Sequence, residues 1–456
     1  MPLRYARSGV SPPERRLAER ATEGRRGGEG SAAGRTSVRV SSATGPQGWS
    51  ARRCWCACPP GGARRVPRPI DGGGRGQQDV RMTRQENGRR TAAPARAPRT
   101  RPTVGSAFDP RSNSINALRL GLAVLVIVSH SFPLGGYGDD PGFGGSTLGA
   151  WAVGGFFATS GFLITASRLR SRSLVDFLWR RFLRIYPAFL VSLLVVAFVA
   201  APLASLLLGA GEYSAAGAVR FVVANAALYI REYGIAGMLG SVPYPGAWNG
   251  SLWSLFYEFV SYVVIGLLVS LAPARWVRPL VVAGFAGLTL VAAVLATDLV
   301  PFPAPLNQTV TLVGYFLAGA LVHLYRDRLP LTGALTAVAA VLLVLVIATG
   351  LYRVLAGLPL AYLMVALGAR LPLRRVGATH DVSYGMYIYA FPVQQLLSLA
   401  IVGAGAAVPL WAYIALSVAA TVPLAWASWL LVERPAMRLK RLTARAPVDV
   451  EGHVLR

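Results

Sequence analysis

The chain has little charge for its length. Only 14% of its 456 residues are charged, whereas soluble domains hold about a quarter. Hydrophobic residues make up 54% of the chain, and its mean hydropathy is +0.47. These values exclude an ordinary soluble globular domain. They predict an all-α protein that crosses a membrane many times.

Acidic residues are scarce in particular. The chain has 20 of them against 46 lysines and arginines, a formal net charge of +26. Residues 1–110 contain 22 arginines and 8 acidic residues, a net charge of +14, which leaves +12 for the rest. That second excess lies mainly in loops between apolar stretches. Basic loops on one side of a membrane protein set its orientation, so we expect no nucleic-acid partner.

Cysteine is also scarce, and its three copies, Cys54, Cys56 and Cys58, lie together in RCWCACPP. The spacing matches no common zinc pattern and no histidine is near, so no metal site is predicted. Residues 1–110 lack apolar periodicity and the apolar part of a signal peptide, which predicts a disordered leader. Either residues 1–81 precede a natural start at Met82, or the leader is an arm that binds anionic lipid.

Ten apolar stretches follow the leader, and together they define a predicted membrane domain at 111–437, with a tail at 438–456. Arginine falls almost wholly in every second loop, which places both termini in the cytoplasm of a multi-pass plasma-membrane protein. The segment AVRFVVANAALYI is too short to span and is expected to be interfacial or re-entrant. The predicted spans are 115–134, 147–167, 185–209, 251–272, 279–298, 308–325, 331–350, 354–369, 382–402 and 410–432.

Small residues cluster on the second predicted span, in GGFFATSGFLIT. Small residues let membrane helices approach closely. We therefore expect this span to pack tightly against a neighbour through Gly154, Gly155, Ser160 and Gly161.

Two charged or titratable residues lie on the first predicted span. A charge in the hydrocarbon layer costs at least ~2.5 kcal/mol, so each one needs a partner or a function. Arg119 and His130 are eleven positions apart, which returns to within about 20° of one helix face and separates the backbones by ~16 Å. Arg119 then lies near the cytoplasmic end and His130 toward the outside. Either they are a snorkelling anchor and an interfacial histidine, or they belong to a site.

Glu258 lies on the fourth predicted span, about seven residues from its outer end. This depth of ~10 Å is similar to that of His130. A carboxylate beside an imidazole fixes its tautomer and stabilises its protonated form, as a proton-transferring histidine requires. The sequence thus predicts that Glu258 orients His130, and a purely structural Glu258 is the alternative.

Three arginines, Arg180, Arg181 and Arg184, lie at the cytoplasmic start of the third predicted span, in RRFLRIYPAF. Arg181 and Arg184 are three apart and share a helix face. Snorkelling explains basic residues at this position. A pair of arginines followed by Pro187, however, favours a site for a phosphorylated cytoplasmic ligand such as coenzyme A.

Six segments occur in one order over about 320 residues: the Arg119-to-His130 spacing, GGFFATSGFLI, RRFLRIYP, LWSLFYE, VSYGMYIY and ERP. Each is weak alone, and together they are specific. Through them, residues 113–437 resemble the acyltransferase 3 family, membrane enzymes that O-acylate bacterial surface glycans and related molecules. There is one departure, because the family often has a histidine before the proline of the ninth span, where this chain has Ala390 and Phe391.

The resemblance implies about ten transmembrane helices and an acyl-CoA donor, commonly acetyl-CoA, which is a substrate and not a bound cofactor. It also implies an acceptor hydroxyl on a cell-envelope carbohydrate or glycolipid, with membrane lipid as the surroundings. His130 becomes the catalytic base or acyl relay, and Arg119 and Glu258 become its catalytic companions. Sequence does not separate base from relay.

We expect Arg180, Arg181 and Arg184 to hold the anionic part of acyl-CoA. A transporter or flippase of a glycan or lipid-linked sugar is the alternative, since it would also place ionisable groups in the bundle. Transporters commonly show repeated halves, and the first five and last five spans show no self-similarity. A membrane scaffold protein would give no reason for the set of Arg119, His130 and Glu258.

Overall fold

The structure is a computed structural model that describes residues 101–297 and 303–443. Its regular structure is helical except for a two-stranded antiparallel ribbon, β1 (Gly142–Phe143) with β2 (Ser146–Thr147). The prediction of an all-helical, polytopic membrane protein is confirmed. The helices are α1 (Val104–Ala107), α2 (Ile115–Gly135), α3 (Leu148–Arg170), α4 (Leu174–Val195), α5 (Ala201–Leu208), α6 (Ala215–Asn225), α7 (Ser254–Leu271), α8 (Ala274–Leu295), α9 (Ala304–Leu324), α10 (Gly333–Ala348), α11 (Tyr352–Leu355), α12 (Gly357–Arg370), α13 (Ser383–Gly403), α14 (Leu410–Ser428) and α15 (Arg434–Arg438).

In the described residues, seven helical segments are long and apolar enough to cross a membrane, and they match predicted spans one to five, nine and ten. Two of them are compound, because π-turns at Val196–Ala200 and Trp429–Glu433 join α4 to α5 and α14 to α15. Predicted spans six, seven and eight correspond to α9, α10 and α12, with 21, 16 and 14 residues. α6 has 11 residues, too few to span.

α4 begins earlier than predicted. It starts at Leu174, eleven residues before the predicted span, where the side chain of Ser173 caps it. Arg180, Arg181 and Arg184 therefore lie about two to three turns inside the helix and not at its start. Hydropathy alone misses these first turns because charged residues interrupt the apolar run.

α3 and α13 form the centre of the bundle. Most of their residues are buried, whereas few residues of α8 and α14 are. α3 packs against α2, α7 and α9, and α13 packs against α2 and α14. The outer helices present large apolar side chains such as Leu290 and Val344 on their surfaces, as a hydrocarbon environment requires.

α3 and α9 approach until their glycines meet the opposite backbone. A Cβ atom on Gly161 would lie 1.9 Å from the carbonyl oxygen of Phe316, and one on Gly319 would lie 2.0 Å from the carbonyl oxygen of Ala158. Only residues without a side chain permit this separation. The expectation of close packing through Gly161 is confirmed.

The segment before α2 is ordered, which corrects part of the predicted leader. The backbone N–H of Val104 donates to the Leu329 carbonyl (2.8 Å), and that of Leu331 donates to the Pro102 carbonyl (2.7 Å). Phe108 packs edge-on against Phe162 of α3, with ring centroids 5.0 Å apart. The leader boundary at residue 110 was therefore wrong, since 101–110 make tertiary contacts. The predictions for residues 1–100, including the cysteines and the start at Met82, lie outside the described residues.

The bundle has two distinct ends. At one end α2 and α4 begin and α3 stops, and we call this the arginine-rich end. At the other, the loop end, residues 136–147 join α2 to α3 and residues 209–253 precede α7. The loop end is held to α13 by Gln395, whose side-chain Nε2 donates to the carbonyls of Tyr244 (2.8 Å) and Ala247 (2.7 Å).

Candidate active site

Asp381 joins two arginines from different helices at the arginine-rich end. Its Oδ2 accepts hydrogen bonds from Arg119 of α2 (3.3 Å) and from Arg184 of α4. Its Oδ1 accepts from the hydroxyl (2.6 Å) and the backbone N–H (3.3 Å) of Ser383, where α13 begins. Burial raises the pKa of the Asp381 carboxyl, but the charges of Arg184 and Arg119 outweigh it and hold the pKa below its usual value. Asp381 is thus an ionised link between three helices.

Arg184 makes two ion pairs. Besides binding Asp381, it donates to Oε2 of Glu433 (2.9 Å), and its guanidinium lies 5.7 Å from the centroid of the Trp429 ring. The Glu433 side chain is 1% exposed and also accepts from the Ser428 hydroxyl (3.3 Å). Trp429 and Glu433 belong to the second π-turn, which therefore brings both against α4. Single π-turns are frequent at functional sites.

Arg119 and Arg181 have buried N–H groups without acceptors. Arg181 makes no ion pair within 4.0 Å in the described chain, and its Nε is buried without a hydrogen-bond acceptor. Nε of Arg119 is buried without an acceptor as well. Arg180, in contrast, pairs with Asp176 on its own helix (2.9 Å) and is 39% exposed. Because unpaired buried donors are costly, Arg119 and Arg181 have the most capacity for a ligand.

Glu258 lies close to these two arginines. Its Oε1 accepts hydrogen bonds from the Ser160 hydroxyl of α3 (2.8 Å) and from the Tyr262 hydroxyl one turn further along α7. Tyr262 is buried and interacts electrostatically with both Arg119 and Arg181. A carboxyl group, a phenol and two arginines therefore share one region inside the bundle.

His130 lies further along α2, toward the loop end. Its ring packs edge-on against Phe391 of α13, with centroids 5.5 Å apart, and its Nδ1 is buried without a partner among the described residues. Within the described ranges, no hydrogen bond or ion pair joins His130 to Glu258, whose bonds go to Ser160 and Tyr262. The direct pairing predicted from sequence is thus not found. Depth along a helix places two groups at one level but does not say which way they point.

Buried polar atoms without partners gather near His130. The side chain of Gln394 lies against the same turn of α2, since its Nε2 donates to the Ile127 carbonyl and the Ser131 hydroxyl, both at 2.9 Å. Unused donors and acceptors of this kind suit a ligand that carries hydroxyl groups. Among the described residues, Oε1 of Gln394 is buried without a partner, and so is Oε1 of Gln395, the next residue of α13.

Sequence reasoning missed Asp381 and Glu433. Asp381 lies one position before the predicted span 382–402, and Glu433 lies one position after the predicted span 410–432, so neither is a charge inside a span. A signal was present, because Asp381 adjoins VSYGMYIY and Glu433 opens ERP, two of the segments that carry the family resemblance.

Comparison with known proteins bears on the activity. A family model described as an acyltransferase domain matches residues 112–430. The chain belongs to this acyltransferase family. It is similar to the O-acetyl transferase of Shigella phage Sf6, with 28% identity over 291 residues, 63% of this chain and 86% of that protein. It is also similar to nodulation protein 10 of Rhizobium leguminosarum bv. viciae, with 27% identity over 374 residues, 72% of this chain and 94% of that protein. No solved structure matches it.

Membership in the acyltransferase family confirms the resemblance and makes the chain an enzyme of the membrane. It therefore decides against the alternative of a transporter or flippase. The departure from the family pattern has a structural account. Ala390 is buried in an apolar cluster with Ala123 and Ile127 of α2, and Phe391 is the residue that packs on His130. Neither position carries a titratable group in this acyltransferase.

Proposed function

We propose that this acyltransferase moves an acetyl group from cytoplasmic acetyl-CoA to a hydroxyl of a cell-envelope carbohydrate or glycolipid. The name of the phage relative, an O-acetyl transferase, supports an acetyl donor and an oxygen acceptor. The observation that carries the proposal is the set of incompletely bonded groups inside one bundle. Arg119 and Arg181 have unused donors at one end, and His130 has an unpaired nitrogen toward the other.

The arginine-rich end is assigned to the cytoplasm. Its connections contain Arg172, Arg326, Arg328, Arg374 and Arg375. Basic residues near the ends of membrane helices are retained on the cytoplasmic side. Both termini would then be cytoplasmic in a protein of the plasma membrane, and the loop end would face the envelope.

The arginines of α4 take different parts in donor binding. Arg181 and Arg119 offer guanidinium donors to the anionic groups of acyl-CoA, and the part-exposed Arg180 lies nearer the surface, where it can guide the donor in. The charge of Arg184 is offset by Asp381 and Glu433, so Arg184 chiefly holds α4 against α13 and the second π-turn.

His130 is assigned the proton transfer. It takes the proton of the acceptor hydroxyl while that oxygen attacks the carbonyl carbon of the thioester. The carbon–sulfur bond breaks, CoA leaves as a thiolate, and the thiolate takes the proton from the imidazolium to become the thiol. A transient acyl group on His130 would give the same products. Glu258 acts on this chemistry through Ser160 and Tyr262, which donate its hydrogen bonds, and not through a direct bond to His130.

Replacement of His130 by alanine tests the assignment. Purified protein would be incubated with radiolabelled acetyl-CoA and a cell-envelope fraction, and label transfer and CoA release measured. General acid–base catalysis contributes ~10²–10⁴-fold, so we expect a loss of that size in a variant that still folds. His323→Gln is the control, because His323 is also a buried histidine of a long helix but contacts Arg326 and Phe162. Full activity of His130→Ala would refute the role.

A further inference from the structure

The charges around Arg119 balance, which is unexpected for a site that receives a polyanion. A neutral cluster attracts a donor that carries phosphate groups only weakly, unless the donor displaces one of the carboxylates from its arginine. Three arginines and three carboxyl groups meet here: Arg119, Arg181, Arg184, Asp381, Glu433 and Glu258.

Asp381 is the carboxylate that a donor can displace most readily from its arginine. Glu433 is 1% exposed within a π-turn, and Glu258 is held by two hydroxyl groups. The Asp381 side chain is 15% exposed and lies in the connection between α12 and α13, outside any helix. Its contact with Arg119 is 3.3 Å long, whereas charge-assisted hydrogen bonds are about 2.7–2.9 Å. The Arg119–Asp381 contact is therefore the weak one of the cluster.

Arg119 has unused hydrogen-bond donors for another partner. A guanidinium offers five N–H donors, and the described structure gives Arg119 one hydrogen bond, to Asp381, with Nε buried and unpaired. Its guanidinium also lies 5.8 Å from the centroid of the Phe156 ring, which leaves its planar edge for hydrogen bonds. A phosphate can accept two parallel hydrogen bonds from that edge, whereas Asp381 accepts one.

We propose that Asp381 is an internal counter-ion that holds Arg119 in the ligand-free enzyme and is replaced there by an anionic oxygen of the donor. During this exchange Asp381 stays with Arg184. It acts as a positioning residue, since it keeps Arg119 ordered between turnovers and competes with the donor for it. The inference rests on the proposed function, because it takes acyl-CoA as the donor.

Asp381→Asn tests the inference by removing the competing charge and keeping the shape. We expect the Kd for acetyl-CoA, measured by calorimetry on the purified protein, to fall about tenfold, the scale of one charge-assisted hydrogen bond. We expect kcat for CoA release to fall as well, because Arg119 and Arg184 lose their common anchor. A merely structural residue would not tighten donor binding when it is removed.

Asp327→Asn is the matched control, since Asp327 also pairs with an arginine at the same end, Arg326 (3.7 Å), which has no part in the proposed donor site. It should leave the Kd nearly unchanged, and equal tightening in both variants would show a general charge effect and overturn the inference. Asp381→Glu keeps the charge and should bind acetyl-CoA no more tightly than the wild type. If the Asn variant does not fold, tighter binding by the Glu variant decides against the inference. Wild-type protein that binds no acetyl-CoA would refute the proposed function itself, whereas weaker or unchanged binding by Asp381→Asn overturns only the role of Asp381.

Discussion

Gly161→Ala should damage both the fold and the site, because Gly161 touches the backbone of the opposite helix. The added Cβ would lie 1.9 Å from the Phe316 carbonyl oxygen, whereas ordinary contacts begin at 3.4 Å, so α3 and α9 must separate locally by about 1.5 Å. Overpacking of this kind costs about 1–3 kcal/mol. Ser160, the neighbouring residue, donates to Glu258 at 2.8 Å. A displacement of about 1 Å in a supporting group can reduce turnover ~10²-fold.

Thermal melts in detergent and acetyl-CoA turnover measure the two effects. Gly314→Ala is the matched control, because Gly314 is on α9 and a Cβ there would meet nothing within 4 Å. Since alanine is favoured over glycine in a helix by about 1 kcal/mol, the control should melt at the wild-type temperature or above. Equal melting temperatures for Gly161→Ala and Gly314→Ala would refute the packing argument. A less stable Gly161→Ala with full turnover would refute the link between packing and the site.

Two further predictions concern the buried carboxylates. Glu433→Ala removes one partner of the buried Arg184, which costs about 3–5 kcal/mol of stability. Its melting temperature should therefore lie well below that of Glu433→Gln, which keeps a hydrogen-bond acceptor. Equal melting temperatures for the two variants would contradict this. The pKa of Asp381 is lowered in the folded protein, so its ionised form stabilises the fold above the ordinary value of about 4 and this contribution is lost as the pH falls through the lower folded pKa. The gap between the melting temperatures of the wild type and Asp381→Asn should stay nearly constant above about pH 4 and shrink as the pH falls below it, and a gap that does not shrink there would refute the contribution.

Much of the fold could be predicted from the sequence because hydrocarbon selects long apolar runs. All ten predicted spans overlap helices of the structure. The errors lie where helices carry charge. α4 begins at Leu174, since its first turns are amphipathic and hydropathy does not register them. The ordered segment at 101–110 contains few apolar residues, and it is held by backbone hydrogen bonds such as that of Val104 with Leu329, which leave no sequence pattern.

The sequence indicates which residues belong to the candidate site better than it indicates which of them contact one another. Arg119, Arg181 and Glu258 do lie near one another, through Tyr262, because ionisable groups in a bundle are forced toward its interior. The pairing of Glu258 with His130 was expected from depth alone, and the observed bonds go elsewhere. Helix rotation decides such contacts, and it depends on close packing between helices such as that at Gly161, which no single span specifies.

Side-chain contacts join α2 to α13 at two levels, and they determine whether donor binding at one level moves His130 at the other. At the arginine-rich end Arg119 binds Asp381, just before α13, and near the loop end Gln394 of α13 bonds to the turn of α2 that contains His130. Arg119 and His130 are eleven residues, or ~16 Å, apart on one continuous helix. A donor that displaces Asp381 from Arg119 would break the first contact and leave the hydrogen bonds of Gln394 intact. His130 would then keep its position against Phe391 while the arginine end of α2 adjusts to the donor, so that donor exchange and proton transfer stay mechanically separate on the same helix.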